Sequence, residues 1–308
     1  MQISAEHPAA ALQLGLQKRQ LPCGGWPALA YRLQPSLEAT CLAVLAIGHR
    51  NAGAVAKAQE FLLRAQNPNG SWPAFAGDDA AGCWITSLAT LALSDLASAI
   101  PARLKGLDWL LDSRGKESHW LWKWKFRTTD RHVRFDPDKF GWPWVPDTAS
   151  WVVPTACAIL ALRQAPCSCD GFERTSVRVE CGIQMLLDRA SPGGGWNAGN
   201  GVVYDSPLAA HPDDTALALL ALSHRGEEPV VRRSLEWLQQ VAATLTAPWS
   251  LSWSILALAA HHVPVTSLVG LLRDLSDLEQ MEDNCSLAVV CLALDHGRAL
   301  SALGVEEM

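Results

Sequence analysis

Apolar residues recur at three- and four-residue intervals over most of the chain, the spacing that gathers them on one face of an α-helix. Two kinds of segment alternate. The first sets an apolar stripe against a charged face, at about His7–Arg19, Gly53–Ala65, Ala102–Asp112, Thr175–Arg189, Val230–Thr244 and Ser267–Gln280. The second is rich in Ala and Leu and poor in charge, at about Ser36–Ala46, Trp84–Leu96, Ala149–Arg163, Asp214–His224, Ser252–His262 and Asn284–Leu294. A helix that is apolar nearly all round is a buried helix. The pattern therefore predicts an all-α chain of six helical hairpins, each an outer amphipathic helix followed by an inner buried one. Six hairpins are enough to close a ring.

A short signature marks the hairpins. Phe61-Leu-Leu precedes Gln66-Asn-Pro-Asn-Gly70-Ser-Trp72, where Pro68 and Gly70 end the helix and Trp72 offers a large surface to neighbouring helices. Gln20, Gly24 and Trp26 repeat the same spacing. Trp109-Leu-Leu with Arg114, Ser118 and Trp120 reads as a third copy, Met185-Leu-Leu with Ala190, Gly194 and Trp196 as a fourth, and Trp237-Leu with Trp249 as a fifth. Tryptophans at 26, 72, 120, 196 and 249 give a period near 47 with one large insertion. A fixed period of this size marks stacked units, none of which buries its face alone.

In a closed ring the outer-to-inner connections share one face. That face gathers the N-termini of the inner helices and the long loops, where functional residues tend to sit. The longest connection is a basic, aromatic insertion at about 113–148, with His119-Trp-Leu-Trp-Lys-Trp-Lys-Phe and then Gly141-Trp-Pro-Trp. It reads either as a clamp for an anion or a membrane contact, or as a short hairpin with a solvated basic face. No Ser- or Gly-rich linker divides the chain, so 1–308 reads as one domain.

Composition narrows the function. The chain has 308 residues, 49% hydrophobic, with a net charge of −6, which weighs against nucleic acid. Fourteen Trp against two Tyr exceed what the repeats need, so some are expected to line a cavity. Of nine Cys, Cys41, Cys157, Cys285 and Cys291 fall in apolar runs and read as small hydrophobes, while Cys167-Ser-Cys169 lacks the spacing of a structural zinc site. An odd count points to free thiols and a reducing, cytoplasmic compartment. Met1–Gln20 lacks the basic head and apolar block of a signal peptide, and no uncharged run reaches the ~18–20 residues that span a bilayer.

The aromatic-Leu-Leu lead-in and the Gln-x-x-x-Gly-x-Trp turn resemble the repeat of squalene–hopene and oxidosqualene cyclases. His211-Pro-Asp213-Asp214-Thr215-Ala216 resembles their Asp-x-Asp-Asp-Thr-Ala motif, and Trp151-Val-Val-Pro-Thr-Ala looks like one of their inner-helix starts. The resemblance implies an (α/α)6 toroid, a fold shared with prenyltransferase β subunits, and a class II terpene cyclase-like enzyme that protonates an isoprenoid with no cofactor or metal. Asp213 matches the proton donor and Asp214 the position after it; His211 replaces an aspartate and would tune the acid. Trp142, Trp144, Trp151 and Trp196 are candidates to face a carbocation, and Trp84 and Asp147, near inner-helix starts, complete the substrate-binding set.

Other readings stay open. Those cyclases hold substrate between two barrels and this chain supplies one, so either the cavity lies inside the single ring, or a second subunit completes it, or the catalytic role has been lost; the basic, aromatic loop adds a peripheral membrane contact to the candidate partners beside the isoprenoid. Asp213-Asp214 could equally be a helix N-cap. A non-catalytic toroid that binds a lipid or a protein through 113–148 is the alternative. A zinc-dependent prenyltransferase-like protein, using Asp283-Asn-Cys285 with a histidine such as His211, His262 or His296, is a third reading.

Overall fold

The computed structural model describes residues 8–130, 134–165, 169–275 and 280–305. Six helices pack side by side into a closed inner ring: α2 (Leu37–Ile47), α4 (Ile85–Ala92), α7 (Val152–Arg163), α9 (Pro212–Ala221), α11 (Pro248–Ala260) and α13 (Asn284–Leu294), with α13 returning to α2. Around them stand α1 (Pro8–Lys18), α3 (Ala52–Ala65), α5 (Ile100–Asp112), α8 (Cys169–Asp188), α10 (Pro229–Ala242) and α12 (Thr266–Asp274). The two sequence classes thus become two concentric layers, because only the inner helices bury every face. The expected hairpins match in number and order. Two helices were not expected: α6 (Trp120–Thr128) in the long insertion, and α14 (His296–Ala302) after the last inner helix. Among the described residues no single helix is long and apolar enough to cross a membrane.

Hydrogen bonds explain the repeat. The indoles of Trp26, Trp72 and Trp196 donate from Nε1 to the carbonyls of Leu16, Leu62 and Leu186, each at 2.7 Å and ten positions back. The backbone N–H of each then donates at 2.9 Å to a threonine in the next inner helix, Thr40, Thr86 or Thr215. Each tryptophan therefore pins an outer helix to its inner partner while satisfying its own polar atom. Gln20 and Gln66 close the turns, bonding Gly24 and Gly70 and reaching the next outer helix at Ala54 and Ala102. The glycine is required on two counts. Gly70 has φ of 90°, and a Cβ there would stand 2.5 Å from the Lys105 carbonyl oxygen of the neighbouring helix.

The same bonds correct the third and fifth copies. Trp142, not Trp120, occupies the third position, with Nε1 on the Leu110 carbonyl at 2.7 Å and its N–H on Thr155 at 2.9 Å. Trp120 lies on α6 and is 71% exposed. Trp249 lies inside α11 rather than in a turn.

The insertion is anchored from within. Glu117 and Arg189 form an ion pair at 2.7 Å with both side chains buried. Glu117 also accepts from the Ser150 N–H at 3.2 and 3.1 Å, and Arg189 donates to the Ser150 carbonyl at 2.7 Å. Trp122 and Phe126 pack inward from α6, and Phe126 meets Phe135 edge-on at 4.9 Å. At the end opposite the long connections, α14 lies against the C-termini of inner helices. Arg298 bonds the Leu45 and Ala46 carbonyls, and Gln164 bonds the Ala302 carbonyl.

Candidate functional site

The acidic motif opens α9 at the mouth of the ring, the face that carries the long connections. His211 stands just before the helix with extended backbone, and Pro212 is suited to the first turn, where its missing N–H costs nothing. Thr215 is tied outward to the Trp196 backbone. Successive helical residues turn by about 100°, so Asp213 lies on the side away from Thr215, toward the ring interior and in line with Leu217. Asp213 is half-buried. Asp214 lies between them, its side chain only 10% exposed, with Oδ2 2.9 Å from His211 Nδ1. Burial raises the Asp214 carboxyl above the ordinary range; the His211 hydrogen bond opposes this and the Asp213 charge adds to it. The capping alternative fails here, since α9 carries no side-chain cap.

His211 also lines a cavity of about 420 Å³ with Trp151, Ala198, Asn200, Val203 and Leu208. Asn197 shapes its floor by accepting from the Gly199 N–H at 2.9 Å and donating to the Asn200 carbonyl at 2.8 Å. Gly199 lets the backbone approach the Trp151 indole, where a Cβ would meet the ring at 3.3 Å. The Asn200 side-chain oxygen is enclosed and has no partner. The arrangement offers an apolar hollow, one indole, one unpaired acceptor and, at its edge, the imidazole that bonds the Asp214 carboxyl behind it.

The remaining candidates do not converge there. Trp84 and Trp144 meet edge-on at 5.0 Å elsewhere on the mouth, joined by the Trp84 N–H to the Trp144 carbonyl. Trp142 and Trp196 are fully buried with indole N–H groups engaged in the repeat bonds, so they hold helices together instead of lining a hollow. Asp147 is exposed with φ of 62°, on a separate cleft of about 290 Å³ beside Trp109 and Arg114. Asp283 caps α13, accepting from the Cys285 and Ser286 N–H groups. Among the described residues no three or more His, Cys, Asp or Glu stand where they would hold a metal ion. Cys41, Cys157, Cys285 and Cys291 are buried and free, while the Cys167–Cys169 pair lies outside the residues whose side chains are described.

Glu38 was missed in the sequence, although it is the one charged residue of α2. Burial raises the thiols of Cys41, Cys83, Cys157 and Cys285, and the Glu38 charge adds to it in each. Burial first and Glu38 second push Cys157 up to about 12. Glu38 is itself raised, by burial and then by Asp283. A carboxyl raised in the folded state favours folding in acid, and that contribution disappears as pH climbs from the unfolded value through the folded one. Glu38→Gln is accordingly expected to raise the thermal midpoint at neutral pH and to have little effect in acid. Melting scans at both pH values check this, and a midpoint lowered at neutral pH would contradict it.

No protein-family model matches the chain. A curated relative, the uncharacterized protein blr2149 of Bradyrhizobium diazoefficiens, is 32% identical over 158 residues, which are 50% of this chain but only 26% of that relative. Among solved structures, a variant of the type II terpene cyclase MstE from Scytonema, with its product merosterolic acid A, aligns over 94% of this chain and 96% of its own at TM-score 0.60 and 12% identity. Another MstE variant, with its substrate geranylgeranyl dihydroxybenzoate, aligns over 97% of both chains at TM-score 0.56 and 12% identity. The endoglucanase Cel10 of Klebsiella pneumoniae, a family 8 glycosyl hydrolase, aligns over 94% of this chain and 99% of its own at TM-score 0.62 and 13% identity. Identities this low carry architecture and no chemistry: the chain is an all-α toroid, the fold on which both terpene cyclases and glycosyl hydrolases are built.

Proposed function

We propose that the protein is a terpene cyclase-like enzyme that takes an isoprenoid, or a comparably apolar small molecule, at the mouth of the toroid and protonates it. The observation that carries this reading is the buried Asp214 carboxyl, raised by its surroundings and bonded to His211 beside the Trp151 cavity. Protonating an alkene needs an acid that keeps its proton until substrate excludes water. Burial favours the protonated form of Asp214, and the His211 bond stabilises the carboxylate it becomes. The proton passes from the carboxyl to one alkene carbon, which uses the π pair to bind it and leaves a cation on the neighbouring carbon. The Trp151 face attracts that cation. Loss of a proton from an adjacent carbon, or capture of water, ends the sequence. The acid is thus moved from Asp213, which is half-exposed, to Asp214. The apolar walls of the cavity favour an isoprenoid over a sugar, and MstE, a type II terpene cyclase in complex with geranylgeranyl dihydroxybenzoate, has the same architecture.

The test is product formation from squalene and from prenyl diphosphates of increasing length, read by mass spectrometry. Asp214→Asn is expected to lower turnover by roughly 10²–10⁴-fold, with Asp213→Asn retaining most of it. Wild-type activity should fall as pH rises through the raised Asp214 value, since the acid form is the reactive one. Equal product from wild type and Asp214→Asn would remove Asp214 as the acid. One observation favours the second reading, a toroid that binds without catalysis. Leu42, Leu88, Cys157, Leu217 and Trp253, on five inner helices, are each no more than 5% exposed. The inner helices thus keep these side chains from solvent, and on this reading a long substrate would lie across the mouth. Failure of the wild type on every isoprenoid would leave that reading.

A further inference from the structure

The mouth face carries more uncovered apolar surface than its own packing requires. On α6, Trp120 is 71%, Leu121 48% and Trp124 60% exposed. These residues fall one and four positions apart, so they form a single stripe on the outward side of the helix. The opposite side already holds the helix in place: Trp122 packs on Phe126, and the Lys116 and Lys125 ammonium groups sit 4.4 and 4.8 Å from the Trp122 ring. Trp120 meets only the ring of the adjacent His119, at 5.8 Å, among the ring contacts of the described residues, and takes no part in the Trp122–Phe126 packing. Tyr31, Leu33, Val145, Tyr204 and Leu208 are also exposed, all in outer-to-inner connections of the same face. The insertion is joined to the Tyr204 hairpin by the Arg134 N–H on the Val202 carbonyl at 3.4 Å and by Arg134 with Asp205 at 3.7 Å.

Charge selects the occupant. Between 113 and 148 the sequence has eight Lys or Arg against five Asp or Glu, in a chain whose net charge is −6. Lys123 and Arg127 share the single charge of Asp138 and Lys125 pairs with Asp130, which holds these basic groups beside the apolar stripe and leaves one of the three positive charges uncompensated. An indole with an apolar body and a polar N–H suits the boundary between headgroups and acyl chains, and neighbouring basic groups are drawn to anionic headgroups.

We propose that α6 and the surrounding mouth loops dock the protein on the surface of an anionic lipid bilayer, with Trp120, Leu121 and Trp124 entering the headgroup boundary. A toroid seated this way faces its mouth, and the cavity beside Trp151, toward the bilayer. The inference stands apart from catalysis, since lipid docking is measured without turnover.

The experiment is co-sedimentation of the purified protein with vesicles of phosphatidylcholine alone and of phosphatidylcholine mixed with phosphatidylglycerol, at low and high salt. The wild type is expected to pellet with the anionic vesicles, more weakly at high salt and more weakly still with the neutral ones. The double variant Trp120→Ala/Trp124→Ala is expected to lose about tenfold in vesicle affinity, with unchanged circular dichroism and melting, because neither indole is needed for folding. Wild type that stays in solution with both vesicle types overturns the proposal, as does a double variant that binds equally. Self-association of the wild type, abolished in the double variant and accompanied by no vesicle binding, would also overturn it and assign the stripe to a protein interface.

Discussion

Glu117→Ala is expected to destabilise the protein by about 3–5 kcal/mol, the cost of leaving a buried charge without its partner. Arg189 is buried, and its guanidinium faces the Phe135 ring at 4.6 Å on one side and Glu117 at 2.7 Å on another. Burial lowers the Arg189 pKa while the Glu117 charge and hydrogen bond hold it up, so removing Glu117 withdraws the main support for the ionised form. The loss reaches beyond one pair. Both carboxylate oxygens accept from the Ser150 N–H, and Ser150 immediately precedes Trp151 and α7. The pair thus holds an inner-helix start and the cavity wall to the end of α8. Chemical denaturation measures the effect. Glu117→Gln should fall between wild type and Glu117→Ala, because an amide can still accept from Ser150 and Arg189. A loss below about 1 kcal/mol would mean that water reaches the pair, since exposed pairs are worth that little.

Trp142→Ala is expected to cost about 3–5 kcal/mol, whereas Trp120→Ala should change stability by no more than about 0.5 kcal/mol. Trp142 is fully buried, its Nε1 satisfies the Leu110 carbonyl, and the Arg178 guanidinium lies 3.4 Å from its ring centre. Arg178 in turn donates to the Ser113 and Gly141 carbonyls. Truncation opens a cavity between two layers and strips the Arg178 stack at once. Trp120 has no such duties. Denaturation of the two single variants side by side decides which tryptophan belongs to the repeat, and equal losses would refute the assignment.

That pair of tryptophans also shows where sequence reading stopped. The layers were legible because burial on every face leaves a compositional trace, and the hairpin ends because Gly and Pro carry backbone demands. The third repeat was misplaced because Trp120 follows Trp109 at the same spacing as Trp72 follows Phe61, while its true counterpart lies 32 positions beyond the carbonyl it bonds. A signal was present: Gly141-Trp142-Pro143 repeats Gly25-Trp26-Pro27, and Thr155 follows as Thr40 does. The proposed move of the acid from Asp213 to Asp214 has a different cause: the motif shows two adjacent carboxylates, and only their unequal burial separates them. Adjacent residues on a helix differ by about 100°, and the motif alone does not fix the phase; the threonine tie to Trp196 does. Glu38 carried a signal as well, a lone charge in an otherwise apolar inner helix.

The ring closes where its first and last parts meet. Arg19 donates to the Met281 carbonyl 262 positions away, Asn284 to the Pro27 carbonyl, and Arg298 to the Leu45 carbonyl. A nascent chain leaving the ribosome can stack its early hairpins in sequence, but it cannot cover the exposed flank of α2 until α13 has been made. Until then the partial ring presents a sticky edge to its neighbours, and loop-closure entropy over that separation must be met in one late step. Assembly in the cell should therefore be limited by this final docking, and substitutions at Arg19, Asn284 or Arg298 should slow maturation more than equal losses of stability placed elsewhere in the circle.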